Sequence, residues 1–558
     1  MSEPIHTPVL IIGAGPTGLV LSILLSRFGV DSLLVERNPS TCDHPQAHVV
    51  NQRSMEIFRA LGIDEEIRAA ALPLERGGHV RWVRSMSGDE FARLSLVPKR
   101  EALPSLAALS PSPPVSCAQD RIEPRLSALA RKGPGRVEFG SELVSLEPDD
   151  DGVSARVRTA EGEREVRAAW VVGCDGAGST TRRLIGIPME GPEALAHVVG
   201  IYFHADLDAL AAERPAILYW TIDTEVPGTF IALDGSQRWV FHAAWDDQRV
   251  SLESYTEARC TEILRRAIGR DVPVEIRSVR PWTMTAQVAT RYREGRVLLA
   301  GDAAHRFPPT GGFGMNTGVQ DAHNLAWKLA LVIADQAGAP LIDSYESERK
   351  PVGQGNCDWS VRNAAGLASV IGSGAAHQAQ RLADGDVTFE ALSAEIQALA
   401  EREAGHFGAI GRDLGFHYET GAILADGTDA PLRADPDREY VPNARPGARA
   451  PHFGLIQDRR VMSSLDLFEG RWTLVASPEC ADAWRDAAQA APLPIAVEIV
   501  GEDIEDPNDA FPSLYGVEDG AVLVRPDGHV AWRTRAAPDD PERALAVALR
   551  SLLGGDTA

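Results

Sequence analysis

The 558-residue sequence lacks an excess of positive charge, a long apolar run and clustered cysteines. Its formal net charge is −24. Neutralising phosphates needs clustered Lys and Arg, so nucleic acid is not an expected partner, and anionic membrane surfaces are disfavoured. No continuous apolar stretch reaches the roughly 18 residues of a membrane-spanning helix. The apolar run after Met1-Ser2-Glu3-Pro4-Ile5-His6 has no basic region before it and breaks at Gly13. It therefore reads as neither a signal peptide nor a span. Cys42, Cys117, Cys174, Cys260, Cys357 and Cys480 are scattered, with no CxxC pair. That pattern fits free thiols in a reducing compartment, and a cytoplasmic protein is expected. The 14 histidines are dispersed, so no metal site is expected. Ser179 lies outside any nucleophile elbow, which gives hydrolase chemistry no support.

What is present exceeds one core, since cores stop growing at roughly 250–300 residues. Residues 9–12 (Val-Leu-Ile-Ile) form a short all-apolar run, as in a strand buried on both faces of a parallel sheet. Leu19, Val20, Ile23, Leu24 and Phe28 recur at helical spacing, and Ser32 to Val35 reads as a second strand. Residues 186–285 are richer in β-type alternation and aromatics, as in Trp239-Val240-Phe241-His242. Residues 360–430 are Ala-rich and read as helical, and after Arg445-Pro446-Gly447 strands and helices alternate again. The expected division has four parts. Residues 1–185 and 286–375 form a discontinuous cofactor-binding domain. Residues 186–285 form a substrate domain, 376–440 a helical connector and 441–558 a C-terminal α/β domain.

The strand over 9–12 leads into Gly13-Ala14-Gly15-Pro16-Thr17-Gly18, which opens a helix. In such a GxGxxG turn the first glycine permits the tight turn, the second lets the backbone approach a pyrophosphate, and the third lets helix and strand pack closely. The helix N-terminus then offers free N–H groups to phosphate. Glu36 stands at the tip of the next strand, placed to accept hydrogen bonds from a ribose. This segment alone does not separate FAD from NAD. A second signal lies far downstream, in Val297-Leu298-Leu299-Ala300-Gly301-Asp302-Ala303-Ala304-His305, continuing to Pro309 and to Gly314-Met315-Asn316. An Asp ending a buried strand can hold ribityl hydroxyls, and a Gly-rich turn before a helix can bring N–H groups to a flavin carbonyl.

At these residues the sequence resembles the single-component FAD-dependent aromatic hydroxylases, the class of p-hydroxybenzoate hydroxylase, in its phenol-type and polyketide branch. The motifs fall in the family's order: the Gly13 turn with Glu36-Arg37, His48 to Glu56, Cys174-Asp175-Gly176 with Ser179 and Arg182, and Gly301-Asp302. The resemblance implies an α/β architecture. Its parts are a Rossmann-like FAD-binding domain, an inserted mixed β-sheet substrate domain and a C-terminal thioredoxin-like domain. It implies that Glu36 binds the adenosine ribose, that Arg37 lies near the adenine, and that Gln119 contacts the flavin side. Asp175 belongs to a motif linked to FAD and nicotinamide. Asp302 would bind the ribityl chain, Pro309 would place its carbonyl at the flavin edge, and Gly314, Met315 and Asn316 would hold the pyrimidine end. One position departs from the family. In His44-Pro45-Gln46-Ala47-His48, Gln46 replaces the usual phosphate-contacting Arg, leaving Arg53 as the nearby cation. No second Rossmann motif is present, in keeping with a nicotinamide cofactor that has no domain of its own.

The implied reaction is hydroxylation of a phenolic or polycyclic aromatic substrate through a flavin C4a-hydroperoxide, consuming NADPH or NADH and O2. Alternatives are a flavin oxygenase with another outcome, such as oxidative decarboxylation or ring opening, and a non-catalytic flavoprotein that binds an aromatic ligand. No residue is assigned as catalytic, and His305 reads as structural. Tyr219, Trp220, Trp239, His242 and Trp282 are substrate-pocket candidates, because aromatic linings suit flat ligands; packing in a core is the competing role. The C-terminal active-site position reads Ser477-Pro478-Glu479-Cys480. A lone cysteine cannot cycle a disulfide, so a structural or dimerisation role is expected, with a homodimer or higher homo-oligomer.

Overall fold

A computed structural model describes residues 4–246 and 250–554. Strand β1 (Ile5–Ile12) is followed by helix α1 (Pro16–Arg27) and strand β2 (Ser32–Glu36). β1 pairs in parallel with β2 on one side and with the strand Gly162–Gly173 on the other. Gly162–Gly173 in turn pairs in parallel with Val297–Leu299, and β2 with Arg136–Phe139. The short apolar runs form these strands because each is covered on both faces: Val9, Leu10, Ile11, Leu33, Leu34, Val171, Leu298 and Leu299 have no exposure. The register sets Ile12 beside both Val35 and Gly173, and Gly173 beside Leu299. Four strand ends from distant parts of the chain therefore finish in one row. Gly13, Glu36, Cys174-Asp175 and Gly301-Asp302 follow those ends.

A second, seven-stranded sheet stands over that edge in the order 275–284, 196–204, 238–244, 228–232, 218–221, 79–83 and 90–95. It draws two strands from outside 186–285: His79–Val83 pairs in parallel with Leu218–Thr221, and Glu90–Ser95 completes the edge. The tilted contact of Trp82 with Trp220, ring centroids 4.7 Å apart, helps hold this long-range pairing. One face of the sheet packs on the helix Glu257–Ile268 in a core containing Tyr219, Phe230, Trp239, Phe241, Cys260 and Leu264.

The long helix Phe313–Ile333 crosses α1, and Pro340–Leu367, Gly372–Ala383 and Phe389–Arg402 follow it. Near the C-terminus, strands Ile495–Ile499, Trp472–Ala476, Ala521–Val524 and Val530–Thr534 form a mixed sheet flanked by helices Ala481–Gln489 and Pro541–Leu552. Two buried ionic clusters fasten this region to the first domain. Glu348 accepts from Arg525 (2.8 and 2.9 Å), Lys328 (2.8 Å) and Asn324 (2.6 Å). Glu56 accepts from Arg449 (2.9 Å) and Arg53 (2.9 Å). Among the described residues no helix is long and apolar enough to cross a membrane, no His/Cys/Asp/Glu group could hold a metal, and all six cysteines are free thiols.

Candidate active site

A cavity of about 1880 Å³ runs from the row of strand ends to the inner face of the second sheet. A drug-sized ligand occupies a site of roughly 300–1,000 Å³, so this cavity can take two ligands together. At one end, Gly13 (φ +104°) donates its N–H to Val35 O at 2.8 Å, and a Cβ here would lie 2.4 Å from Cys174 O. A Cβ at Gly18 would meet Gly13 O at 2.0 Å. Both positions need glycine so that turn, helix and strand can touch. Gly15, Pro16 and Thr17 line the cavity, and a Cβ on Gly15 would project into open space. The Glu36 carboxylate accepts from Ala14 N (2.9 Å) and Asn38 N (2.8 Å), which fixes it on the cavity wall beside Arg37.

Asp302 opens onto the same cavity, and among the described residues its carboxylate has no hydrogen-bond partner. The side chain is exposed to the cavity, and the protein packed around that cavity partly desolvates it. That desolvation raises its pKa, with His305 and Arg306 opposing. An acceptor left unmet at such a place suits a ligand that carries hydroxyls. The turn that holds it is built by a residue outside the motifs. Asp321 accepts from Gly301 N (3.1 Å), His305 Nε2 (2.7 Å) and Arg349 Nε (2.8 Å), all buried. His305 thus points away from the cavity and into this ionic cluster. Arg182 ties the two loops together by donating to Ala303 O at 2.9 Å. Asp175 lines the cavity while accepting from Ser179 Oγ (2.5 Å) and Thr181 N (2.9 Å). These residues fit FAD: an N–H-rich helix start for the pyrophosphate, Glu36 for a ribose and Asp302 for the ribityl chain.

Gln119, Pro309, Gly314 and Met315 also line the cavity. Asn316 does not. Its side chain accepts from Asn51 N (3.0 Å) and donates to Val49 O (2.9 Å) and Gly312 O (2.6 Å), so it braces the wall from behind. Arg53 is not brought to the cavity either. It is 5% exposed and bonds to Glu56 and to Asp527 O of the C-terminal domain. Gln46 does line the wall, where the family's Arg would stand.

The substrate candidates divide by strand parity, since successive side chains point to opposite faces. Tyr219, Phe230, Phe241 and Ile201 are cross-strand neighbours on the face covered by the helix Glu257–Ile268. Trp239 shares that face, donating Nε1–H to Ser236 O, while Tyr219 donates to Arg214 O. These two are core, and the expectation that they line the pocket is corrected. Trp220, Thr229, His242, Gly200 and Arg280 form the adjacent row on the opposite face. Trp220, Thr229, His242 and Arg280 line the cavity. Trp282 lies edge-on to His242 at 5.4 Å and also lines it. His44, His48 and His406, absent from the sequence-based candidates, complete this end. Burial lowers His242 to about 3, with His44 and His48 adding like-charge pressure. Burial likewise lowers His44, His48 and His406 to about 4 each. At neutral pH these four imidazoles are uncharged, and they share an aromatic-walled chamber with the Arg280–Asp43 ion pair.

Comparison with known proteins places the chain in a family. Residues 6–360 match the FAD binding domain family, and residues 443–555 match the aromatic-ring hydroxylase C-terminal family. Aklavinone 12-hydroxylase RdmE of Streptomyces purpurascens is 36% identical, over 98% of this chain and 98% of that protein. The flavin-dependent monooxygenase PieE, crystallised with FAD and substrate, is similar at a TM-score of 0.91 and 35% identity, over 99% of this chain and 100% of that one. Aklavinone-11 hydroxylase, in a ternary complex with FAD and aklavinone, gives a TM-score of 0.82 at 34% identity, over the same shares.

Proposed function

This chain belongs to the FAD-dependent aromatic-ring hydroxylases, and we propose that its own substrate is a polycyclic aromatic carrying a ring hydroxyl. It is an FAD-dependent aromatic monooxygenase, with NAD(P)H and O2 as co-substrates. Cavity size is the observation that carries the substrate reading. Allowing FAD up to roughly 1,000 Å³, the upper end for a small-molecule site, several hundred Å³ remain, walled by Trp220, Trp282 and the neutral histidines. That is more than a single phenol ring needs. Similar proteins act on or bind a polycyclic ligand, aklavinone.

Bound FAD supplies two-electron reduction by the nicotinamide and transfer of one oxygen atom from O2 to the ring. The protein's part is to bind, orient and exclude water. In this reading Gly13, Gly15, Pro16, Thr17 and Gly18 hold the pyrophosphate, Glu36 and Arg37 the adenosine, and Asp302 the ribityl chain. Gln119, Pro309, Gly314 and Met315 frame the ring, with Asn316 and Asp321 bracing them. His242 and His44, uncharged, orient the substrate hydroxyl without drawing in water. Residues 1–185, apart from the 79–95 strands, with 286–375 are read as the FAD-binding domain, 186–285 with those strands as the substrate wall, 376–440 as a helical connector, and 441–558 as a thioredoxin-like domain with a structural role. The free thiols support a cytoplasmic location.

The test is a panel of phenols and polycyclic aromatics assayed for stimulated NADPH and NADH oxidation, with mass detection of product. Polycyclic substrates should couple oxidation to a gain of one oxygen atom. Coupling confined to single-ring phenols would refute the substrate reading, and loss of carbon dioxide or a cleaved ring would replace hydroxylation by another oxygenase outcome.

A further inference from the structure

Among the described residues, one arginine of the cavity wall has a buried guanidinium nitrogen without a hydrogen-bond partner. Of the wall's arginines, Arg280 donates to Asp43 at 2.6 Å, and Arg37 lies exposed beside Glu36. Arg306 is different. It is half-buried on the strand His305–Arg306, which is held antiparallel to Gln287–Ala289. Its Nε is buried without any hydrogen-bond partner, and among the described residues its guanidinium donates to no carboxylate or carbonyl. Asp302 and Glu193 lie close enough to act on it electrostatically, and Arg182 stands near enough for the two cations to oppose each other's charge. A desolvated guanidinium beside a second cation is costly unless an anion joins it. Its planar fork matches phosphate and carboxylate oxygens.

From this geometry we infer that Arg306 is an anion-binding residue of the cavity and that its ligand is a phosphate group of the nicotinamide dinucleotide. The inference rests on the monooxygenase reading, which requires a nicotinamide to deliver hydride inside this cavity. Three observations favour the reductant as the source of the anion. The protein carries a formal net charge of −24, which repels a polyanionic dinucleotide, so a local cation is needed where it docks. Gln46, also on the wall, is uncharged, which leaves Arg306 as the unpaired inner cation. The pyrophosphate of FAD already has the N-terminus of α1, at the end of the cavity formed by Gly15 and Thr17.

The test uses the FAD-loaded enzyme and its Arg306→Gln and Arg306→Lys variants. NADP+ and NAD+ binding is titrated without turnover, through the change in flavin absorbance. Anaerobic stopped-flow then gives the NADPH concentration dependence of flavin reduction. Arg306→Gln should weaken dinucleotide binding roughly 10- to 100-fold, as expected for loss of a hydrogen bond to a charged group. Arg306→Lys should recover most of it. The limiting reduction rate and the Kd values for FAD and for the aromatic should stay within about threefold of wild type. A loss confined to NADP+ assigns the 2′-phosphate, and a loss for both dinucleotides assigns the pyrophosphate; either supports the inference. Unchanged dinucleotide binding would overturn it, as would a loss carried by FAD or by an aromatic carboxylate. Should the Gln variant fail to fold, inorganic pyrophosphate on the wild type decides. Competition against NADPH supports the site, and its absence refutes it. These binding data do not depend on hydroxylation, so failure here and failure of the monooxygenase reading are separately visible.

Discussion

Replacing Asp302 with Asn should move two quantities in opposite directions. Among the described residues the Asp302 carboxylate has no hydrogen-bond partner, and desolvation raises its pKa. A carboxyl group with a raised folded-state pKa stabilises the fold at low pH, and that contribution is lost as pH rises through the folded value. At neutral pH the charge is therefore a burden, and Asp302→Asn should raise the melting temperature of the apoprotein. With FAD present the charged acceptor would gain hydrogen bonds to ribityl hydroxyls, each worth about 1.5–3 kcal/mol. Losing one should weaken FAD binding roughly 10- to 150-fold. At an FAD concentration about 100 times the wild-type Kd, FAD stabilises the wild type by about 2.7 kcal/mol. A 100-fold weaker variant would retain about 0.4 kcal/mol of that. Thermal unfolding with and without FAD, together with fluorescence titration of the apoprotein, reads both effects. A variant with unchanged FAD affinity, or an apoprotein that melts lower than wild type, would refute the assignment of Asp302 as an unmet acceptor awaiting ligand.

Removing one partner of a buried ion pair typically costs about 3–5 kcal/mol, so Arg525→Met, which leaves Glu348 with Lys328 as its one cation and removes the cation from Asp527, should unfold at much lower denaturant and release the C-terminal region to limited proteolysis. Glu348 is held down to about 2, chiefly by Arg525 and Lys328 against the opposing effect of burial. Its contribution is full above the ordinary carboxylate range and is lost as pH falls toward 2, so Glu348→Gln should flatten acid unfolding. Asp413, held by Asn51 at 2.8 Å, is pushed up to about 7 by burial. Its contribution falls between about pH 4 and 7, so wild type should lose stability relative to Asp413→Asn as pH rises through that window, which denaturant titration at several pH values checks. Trp239→Ala should cost about 3–5 kcal/mol of stability and leave the KM of folded enzyme unchanged. Trp282→Ala should raise the KM for the aromatic with little change in melting temperature.

The parallel strands and the dinucleotide turn were legible in the sequence because each rests on a local rule: apolar runs of four or five residues, and glycines that only a close approach requires. The order of the distant motifs pointed to Asp302 and Asp175 as cofactor residues, and the register sets them at neighbouring strand ends, with Gly173 beside both Ile12 and Leu299. Period-two alternation could also have separated Trp220 and His242 from Tyr219 and Trp239, had the covered face been known. What hid it was the helix Glu257–Ile268, whose docking face is a tertiary fact. Arg53 could not have been placed, because its acceptor at Asp527 lies 474 residues away. The strands at 79–95 joined the second sheet through a pairing that no local pattern announces. Arg306 and Asp321 sit inside or beside a recognisable motif, yet their roles depend on which partners are present and which are missing.

The central claim is most directly tested by supplying 18O2 and NADPH to the FAD-loaded enzyme with a hydroxylated polycyclic aromatic. The account predicts substrate-stimulated NADPH oxidation and a product heavier by a single 18O atom from O2. Oxidation that stays at background with every tightly bound aromatic, or that yields only hydrogen peroxide, would contradict it.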